Sequence, residues 1–423
     1  MSVIGFAGMS HLGILSLAAA AAKGFSVVGY DPDAALITRL RCRDLPVSEP
    51  GLDELFARDA ARMSFTATES DLGACDLIYI AADVPTDDAA KSDLRPILDF
   101  AGRVARQLRQ DAVMIVLSQV PPGFTRSLTS PPPERLIYQV ETLIFGRAVE
   151  RALKPERFIV GCAVPDRPLP PRYREFLAAF QCPILPMRYE SAELAKIAIN
   201  HCLVASVSIA NTLAELSESV GADWAEIVPA LRLDQRIGPH SYLSPGLGIS
   251  GGNLERDLRT VCDLAAAHAA DARVVESFLG YSSHRKDWCW RQIAPLLAAK
   301  PELCIGVLGL AYKENTHSTK NAPSLALLAH LTEKNVRIHD PVVPGSAAPF
   351  ATACATPLDC ADGADVLVLI TPWPEYRGLS IADLARAMKG RVLVDPYRLL
   401  DGRQAVAAGF EYRALGLPVQ RPA

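Results

Sequence analysis

Residues 3–31 read VIGFAGMSHLGILSLAAAAAKGFSVVGYD. An apolar run ends on Gly8, an alanine-rich stretch without proline runs from Gly13 towards Gly24, and a second apolar run ends on Asp31. Strand, glycine turn, helix and strand in that order make one βαβ unit. The turn, Gly8-Met9-Ser10-His11-Leu12-Gly13, is a GxGxxG fingerprint with Ser10 in place of the middle glycine. In such a unit the helix N-terminus faces a pyrophosphate. An acid closing the second strand binds the ribose hydroxyls of NAD and repels the extra phosphate of NADP. Gly8, Ser10, Gly13 and Asp31 are therefore candidate cofactor residues. The rival account is a strand-to-helix turn that uses glycine only for close packing. A side chain at Ser10 stands where the backbone should approach the pyrophosphate, although its hydroxyl can itself bond phosphate.

Outward from this unit the alternation continues. LIYIAA, VMIVLS, LIYQVE and FIVGC read as further buried strands, with helix or loop between them, and SPPPERL (130–136) as a loop before a strand. Strand and helix in turn imply a parallel sheet with helices on both faces. From Ser191 the pattern changes. SAELAKIAINHCLVASVSIANTLAELSESVG has apolar residues at helical spacing and no proline, and predicts one long helix ending near Gly221. More helix follows to about residue 298, and then CIGVLGLAY, VRIHDP, VLVLIT and VLVDP bring strands back. The plan is α/β, helical middle, α/β.

The bulk properties agree with a globular chain of several units. It has 423 residues, half of them hydrophobic, and a net charge of -4, so no basic field points to nucleic acid or a membrane surface. No apolar run reads as long enough to cross a bilayer. The ten cysteines are scattered singly without a CxxC pair, which suits reduced, mostly buried thiols in a cytoplasmic protein. The eight histidines form no HxH or HExxH grouping, so no metal site is expected.

Eight further motifs carry more. LPVSEPGLDEL (45–55), IAADVPTDD (80–88), SQVPPG (118–123), KPERFIVG (154–161), ELAKIAIN (193–200), RIGPHSYLSPGLG (236–248), GLAYKENT (309–316) and ITPWPEYR (370–377) occur in this order. Together they resemble the UDP-glucose/GDP-mannose dehydrogenase family over nearly the whole chain. The resemblance implies two Rossmann-like doubly wound domains: an NAD-binding domain over residues 1–187 and a nucleotide-sugar-binding domain over 299–423. A long helix and its companions, 188–298, would join them and form the core of a homodimer. It also implies a reaction in the cleft between the domains, in which a sugar CH2OH becomes a carboxylate through two hydride transfers, a cysteine holding the aldehyde as a thiohemiacetal in between.

Carried over position by position, the resemblance assigns the following. Glu141 matches the glutamate of an NPEFL-type motif whose Asn and Pro are Gln139 and Val140 here; an ordinary loop glutamate is the competing account. Lys196 and Asn200 match a pair at i, i+4, the lysine to hold an oxyanion and the asparagine to donate a hydrogen bond. Asp257 matches the aspartate that positions water, a role compatible with a carboxylate near a helix N-terminus. Pro85 and Thr86 of DVPT, with Asp83 beside them, and Gln119 of SQVP take cofactor-contacting positions. Arg236, Gly248, Gly251 and Lys313 take substrate-contacting positions, Arg236 towards a phosphate across the dimer; for both basic residues a plain surface role is the alternative.

The loop PGLGISGGNLERD (245–257) departs from the family pattern GxGxGGSCFPKD: aligned without a gap, the cysteine falls on Asn253. An amide forms no thiohemiacetal; it hydrogen-bonds and little more. Cys262, nine residues on in a predicted helix, cannot take its place. Other changes accompany it: His317, Ser318 and Lys320 replace an acidic pair and an arginine, and DPYR (395–398) moves an arginine by one place. Three readings remain open. One is an NAD-dependent oxidoreductase on a nucleotide sugar that stops at the aldehyde or oxidises its hydrate. The second is a redox-neutral enzyme of epimerase or dehydratase type that keeps its NAD. The third is a non-catalytic paralogue that binds a nucleotide sugar.

Overall fold

The computed structural model describes residues 2–87 and 92–423. By compactness the chain forms two units, Met1–Ile199 and Asn200–Ala423.

The first unit is built on an eight-stranded sheet. Its strands are β1 (Val3–Ala7), β2 (Ser26–Tyr30), β3 (Met63–Thr66), β4 (Leu77–Ile80), β5 (Val113–Val116), β6 (Leu136–Gln139), β7 (Phe158–Cys162) and β8 (Ile184–Arg188). They lie in the order β3-β2-β1-β4-β5-β6-β7-β8. The six strands read from apolar runs are all present. The two that such a reading passes over, β3 and β8, are the edges, each with an exposed side and a mixed sequence. The sheet is not wholly parallel: β7 runs antiparallel to β6, pairing Tyr138 with Gly161. A strand's apolar run records burial on both faces and carries no mark of direction, so this reversal was invisible in sequence.

The first helix, His11–Ala22, shows how the fingerprint folds. Ser10 is its N-cap, with φ -70° and ψ 178°, and Ile14, Leu15, Leu17 and Ala18 to Ala21 are buried. Small side chains let the helix sit close on the sheet: a Cβ added at Gly13 would fall 2.0 Å from the Gly8 carbonyl oxygen. Glycine at 8 is equally obligatory. Its φ is +97°, and a Cβ there would lie 2.5 Å from the Ala82 nitrogen.

The second unit holds a seven-stranded sheet of β9 (Cys304–Leu308), β10 (Asn335–His339), β11 (Thr352–Ala353), β12 (Val366–Leu369), β13 (Val392–Val394), β14 (Glu411–Ala414) and β15 (Leu417–Gln420). The order is β11-β10-β9-β12-β13-β14-β15, parallel except for β14 with β15. The strands absent from the sequence reading are again peripheral, from β14 outward on one side and β11 on the other. The helices Trp224–Leu233, Asn253–Ala267, Arg273–Lys286 and Trp288–Ala299 belong to this unit.

The long helix spans Tyr189–Val220. By length and composition it meets the measure for a membrane span, against the expectation that no run would. A core helix meets the same measure, and this one buries Ala192, Glu193, Ile197, Val204, Ala210 and Ala214. None of the ten cysteines is bridged; Cys42 and Cys202 are exposed, while Cys75, Cys162, Cys289, Cys304 and Cys360 are buried. Burial pushes the Cys75 thiol up to about 11, and Cys289 and Cys360 higher still.

Candidate functional site

In the first unit the fingerprint turn is closed by Asp31. Its Oδ2 accepts the Met9 N–H at 2.8 Å and its Oδ1 the Asp33 N–H at 3.0 Å. The carboxylate thus stands at the end of β2 beside the turn, with lone pairs remaining for ribose hydroxyls. The first turn of the helix His11–Ala22 carries no acidic side chain, which leaves its N-terminal N–H groups suited to a pyrophosphate. These features fit NAD. The fit is not a choice between cofactor and packing, because Gly8 and Gly13 are required by packing as well. Ser10 is spent differently from the expectation that its hydroxyl would serve phosphate. That hydroxyl donates to the Ala81 carbonyl at 2.8 Å and stands 3.5 Å from the Gly13 nitrogen, so it ties the turn to the end of β4.

The other cofactor candidates lie at the carboxyl ends of β4 and β5. Ser118 N donates to Ile80 O at 3.0 Å, and the Ser118 hydroxyl donates to Ala82 O at 2.5 Å. This brings Gln119 alongside the loop that carries Asp83, Pro85 and Thr86. Thr86 bridges to Ser92, and Asp93 N donates to Pro85 O at 2.9 Å. Asp88, the last residue of the IAADVPTDD motif, lies outside the described residues.

Glu141 follows β6 directly and meets Lys196. The lysine Nζ donates to Glu141 Oε1 at 2.7 Å and to the Glu141 carbonyl at 3.2 Å. Both side chains are largely buried, at 11% and 16% exposure, so the pair is not a solvated surface bridge. Gln139, at the end of β6, is turned inward. Its Oε1 accepts from the hydroxyls of Tyr79 and Tyr173 at 3.1 and 2.8 Å.

In the second unit Asn200 Nδ2 donates to Asp257 Oδ2 at 2.6 Å, and Arg256 Nε lies 3.6 Å from Asp257 Oδ1. Asp257 is 2% exposed. It sits one turn into the helix Asn253–Ala267, so Asn253, at i-4, shares its helix face. Asn253 itself is exposed. Cys262 is on the same helix, but nine residues span roughly 13 Å of rise and half a turn, which puts its thiol on the opposite face.

The loop before Asn253 is pinned from several sides. Gly246 N donates to Asn211 Oδ1 at 2.7 Å and Ile249 N to Ser282 Oγ at 2.7 Å. Gly248 has φ +83°, and a Cβ there would lie 2.5 Å from Ser282 O. Gly251 donates to Lys320 O at 3.0 Å, and a Cβ on it would touch the Tyr312 ring at 3.2 Å. The loop thus lies against the segment holding Tyr312, Lys313 and Lys320. Asn321 joins the two, donating to Ile249 O at 3.2 Å and to Glu255 Oε2 at 2.5 Å and accepting from Lys286. Gly251 and the segment bearing Lys313 therefore come together, while Gly248 packs on Ser282. Arg236 does not join them: its side chain is 89% exposed and pairs with Asp234 at 2.6 Å. Arg398 is turned onto Asp223, at 2.7 and 3.1 Å.

One acid escaped the sequence reading. Asp340 ends β10 as Asp31 ends β2. Its Oδ2 accepts from Leu310 N at 2.6 Å, Ala311 N at 3.0 Å and Trp373 Nε1 at 3.0 Å, and its Oδ1 from Val342 N at 2.9 Å and Val343 N at 2.8 Å. Burial acts to raise its pKa, yet the backbone donors together hold the carboxyl below the ordinary range. The signal was present, since YDP and HDP close equivalent strands.

Known proteins share these domains and this fold. Residues 2–172 match the NAD binding domain of the UDP-glucose/GDP-mannose dehydrogenase family, 190–281 its central domain and 306–402 its UDP binding domain. The chain is 29% identical to a UDP-glucose 6-dehydrogenase of Pseudomonas aeruginosa, covering 97% of this chain and 96% of that one. Among solved structures, a UDP-glucose dehydrogenase from Pyrobaculum islandicum superposes with a TM-score of 0.84 at 27% identity, over 96% of each chain. A UDP-D-ManNAc dehydrogenase from Pyrococcus horikoshii shares the fold at a TM-score of 0.85 and 22% identity, over 98% of this chain and 99% of that one. The fingerprint turn and Asp31 fall in the first matched domain, Lys196, Asn200 and Asp257 in the second and Lys313 in the third, and the chain accordingly belongs to the UDP-glucose/GDP-mannose dehydrogenase family, with NAD as its cofactor and a nucleotide sugar as the ligand of its C-terminal domain.

Proposed function

We propose that the protein oxidises a hydroxyl of a nucleotide sugar, UDP-glucose-like in kind, without a cysteine thiohemiacetal, and stops at the aldehyde. The observation that carries this reading is the helix face shared by Asn253 and Asp257, with Asp257 held by Asn200 at 2.6 Å. The group that handles water is buried and oriented, while the position from which a thiol would attack holds an amide.

NAD, when bound by Gly8, Asp31 and the loops bearing Pro85, Thr86 and Gln119, supplies the two-electron acceptor. The chain's own residues do the rest. Two of the three Lys196 donors are engaged by Glu141, and the third is available to a developing alkoxide. The hydroxyl proton leaves to a water held by the Asp257 carboxylate, and the Asn200 amide fixes that carboxylate's orientation. Gly248, Gly251 and Lys313 shape the surface for the nucleotide sugar, and Arg236 is kept as a phosphate contact from a second copy. The three-part division at 187/188 and 298/299 belongs to the same proposal.

A homodimer accompanies this reading. Ile209, Leu213, Leu216 and Val220 are 60%, 41%, 55% and 65% exposed on the long helix. Their spacing of four, three and four is the seam of a helix that packs against another.

The test is incubation with NAD and a panel of UDP-, GDP- and TDP-sugars, with NADH absorbance and mass spectrometry of every sugar. NADH with an aldehyde is the expected result, lost in Lys196→Ala and joined by acid in Asn253→Cys. Acid from the unaltered protein would mean oxidation of the hydrate. A changed sugar without NADH would replace the reading by redox-neutral chemistry, and no change in any sugar by a binding role.

A further inference from the structure

Glu193 stands on the long helix three residues before Lys196 and is fully buried, at 0% exposure. Its Oε2 accepts the Gly123 N–H at 2.6 Å and its Oε1 the Thr125 N–H at 2.8 Å. Both N–H groups belong to the segment that leaves β5 and carries Gln119, Gly123 capping and Thr125 lying within its short helical turn Phe124–Ser127. The attachment is doubled at the surface, where Arg126 forms a two-pronged pair with Glu190. Tyr189 secures the start of the same helix by donating to Leu136 O at 2.7 Å. On its other flank the loop is fastened to β4 through Ser118. Residues 118–127 are thus clamped between a strand end and the helix that bears Lys196.

The sheet order changes direction between β1 and β4. A dinucleotide crosses the carboxyl ends of the strands at such a switch point. Asp31, at the end of β2, marks the adenosine side, so the β5 loop lies under the nicotinamide half. Burial pushes the Glu193 carboxyl above its ordinary range, against the pull of the bonds from Thr125 and Gly123. Its ionised form is therefore a net cost to folding. A group retained at such a cost is better explained by placement than by stability.

We infer that Glu193 is a positioning residue for the nicotinamide half of NAD, holding the Gln119 loop in register with Lys196. The inference rests on the reading of that loop as a cofactor contact.

The experiment compares calorimetric titrations of NAD and of ADP-ribose into the full-length protein, its Glu193→Gln variant and its Gln119→Ala variant, with thermal midpoints recorded. Glutamine keeps the volume but turns an NH2 group towards one of the two N–H donors. The expected result is a Kd for NAD raised about tenfold and a Kd for ADP-ribose changed less than about twofold. Equal weakening of both ligands would reduce Glu193 to a structural role and overturn the inference. So would an unchanged NAD affinity. If Gln119→Ala weakens NAD selectively while Glu193→Gln does not, only the Glu193 assignment falls; if neither variant alters NAD, the loop reading falls with it. Should Glu193→Gln not fold, Glu193→Asp keeps the charge at shorter reach, and the same selective loss is required of it.

Discussion

At the end of β1, Gly8 adopts φ +97° and donates to Tyr30 O; at the end of β9, Gly309 adopts φ +105° and donates to His339 O, both at 2.8 Å. In each sheet the neighbouring strand closes on an aspartate, and in each that aspartate accepts the N–H of the residue after the glycine, Met9 in one and Leu310 in the other. The two then diverge. Asp31 takes one N–H on each oxygen, whereas Asp340 takes five in all. Behind Gly8 a helix starts at His11; behind Gly309 the chain runs in a loop to the helix that begins at Pro323. One turn thus keeps its carboxylate available to a ribose. The other spends its carboxylate on four backbone N–H groups and the Trp373 indole, and is followed by a loop that carries Lys313 and Lys320.

The largest effect is expected where the two turns are alike. Gly8→Ala and Gly309→Ala each force a side chain into positive φ and into contact, at 2.5 Å from Ala82 N and 2.4 Å from Thr371 Cβ respectively. Each should cost about 3 kcal/mol or more in chemical denaturation. A mild loss at either position would mean that the shared turn is not rigid.

Next comes Asp340→Asn, which leaves buried N–H groups short of an acceptor and should cost about 2–3 kcal/mol at neutral pH. Because the folded carboxyl is held low, its stabilisation is in force above the unfolded value of about 3.9 and fades as pH falls through the lower folded value. Melting curves of the variant should therefore converge on those of the parent in acid. A constant gap at every pH would remove the charge from the explanation.

Asp31→Asn should invert the pattern. We expect a loss of stability below about 1 kcal/mol and an NAD affinity reduced about tenfold, with its advantage over NADP gone. If this variant melts as early as Asp340→Asn, the contrast between the two aspartates collapses. Ser10→Gly is the smallest change, a few tenths of a kcal/mol for the cap with the Ala81 bond lost in addition. Calorimetry of NAD binding then shows whether a regular fingerprint binds more tightly than this one.

The parts of this molecule that could be read in advance are those set by local pattern. Gly8, Gly13 and Asp31 announce themselves because a βαβ unit needs its glycines and its acid at fixed offsets, and the long helix because thirty residues repeat one period without a breaker. Strands β3, β8 and β11 lie at sheet edges, where one flank lacks a partner and the sequence need not be apolar. The opposite direction of β7 leaves no trace in a strand buried on both faces. Within the candidate site, Lys196 with Glu141 and Asn200 with Asp257 are chemistry that residue types suggest, but their pairing joins positions 55 and 57 residues apart. The partners of Ser10, Arg398 and Asp340 were beyond reach for a single reason. What a polar side chain does depends on which backbone groups surround it, and only the folded chain supplies those.

The unbridged thiols bear on the surroundings in which this protein can operate. Cys42 and Cys202 are the exposed ones, the deeply buried thiols are held protonated at neutral pH, and position 253 offers a carboxamide. Peroxides, quinones and alkylating electrophiles silence a dehydrogenase by capping its nucleophilic sulfur. Under the proposed chemistry they meet no sulfur at the reacting position here. Under that chemistry, oxidative stress that would stall an enzyme working through a thiol would find no thiol at position 253.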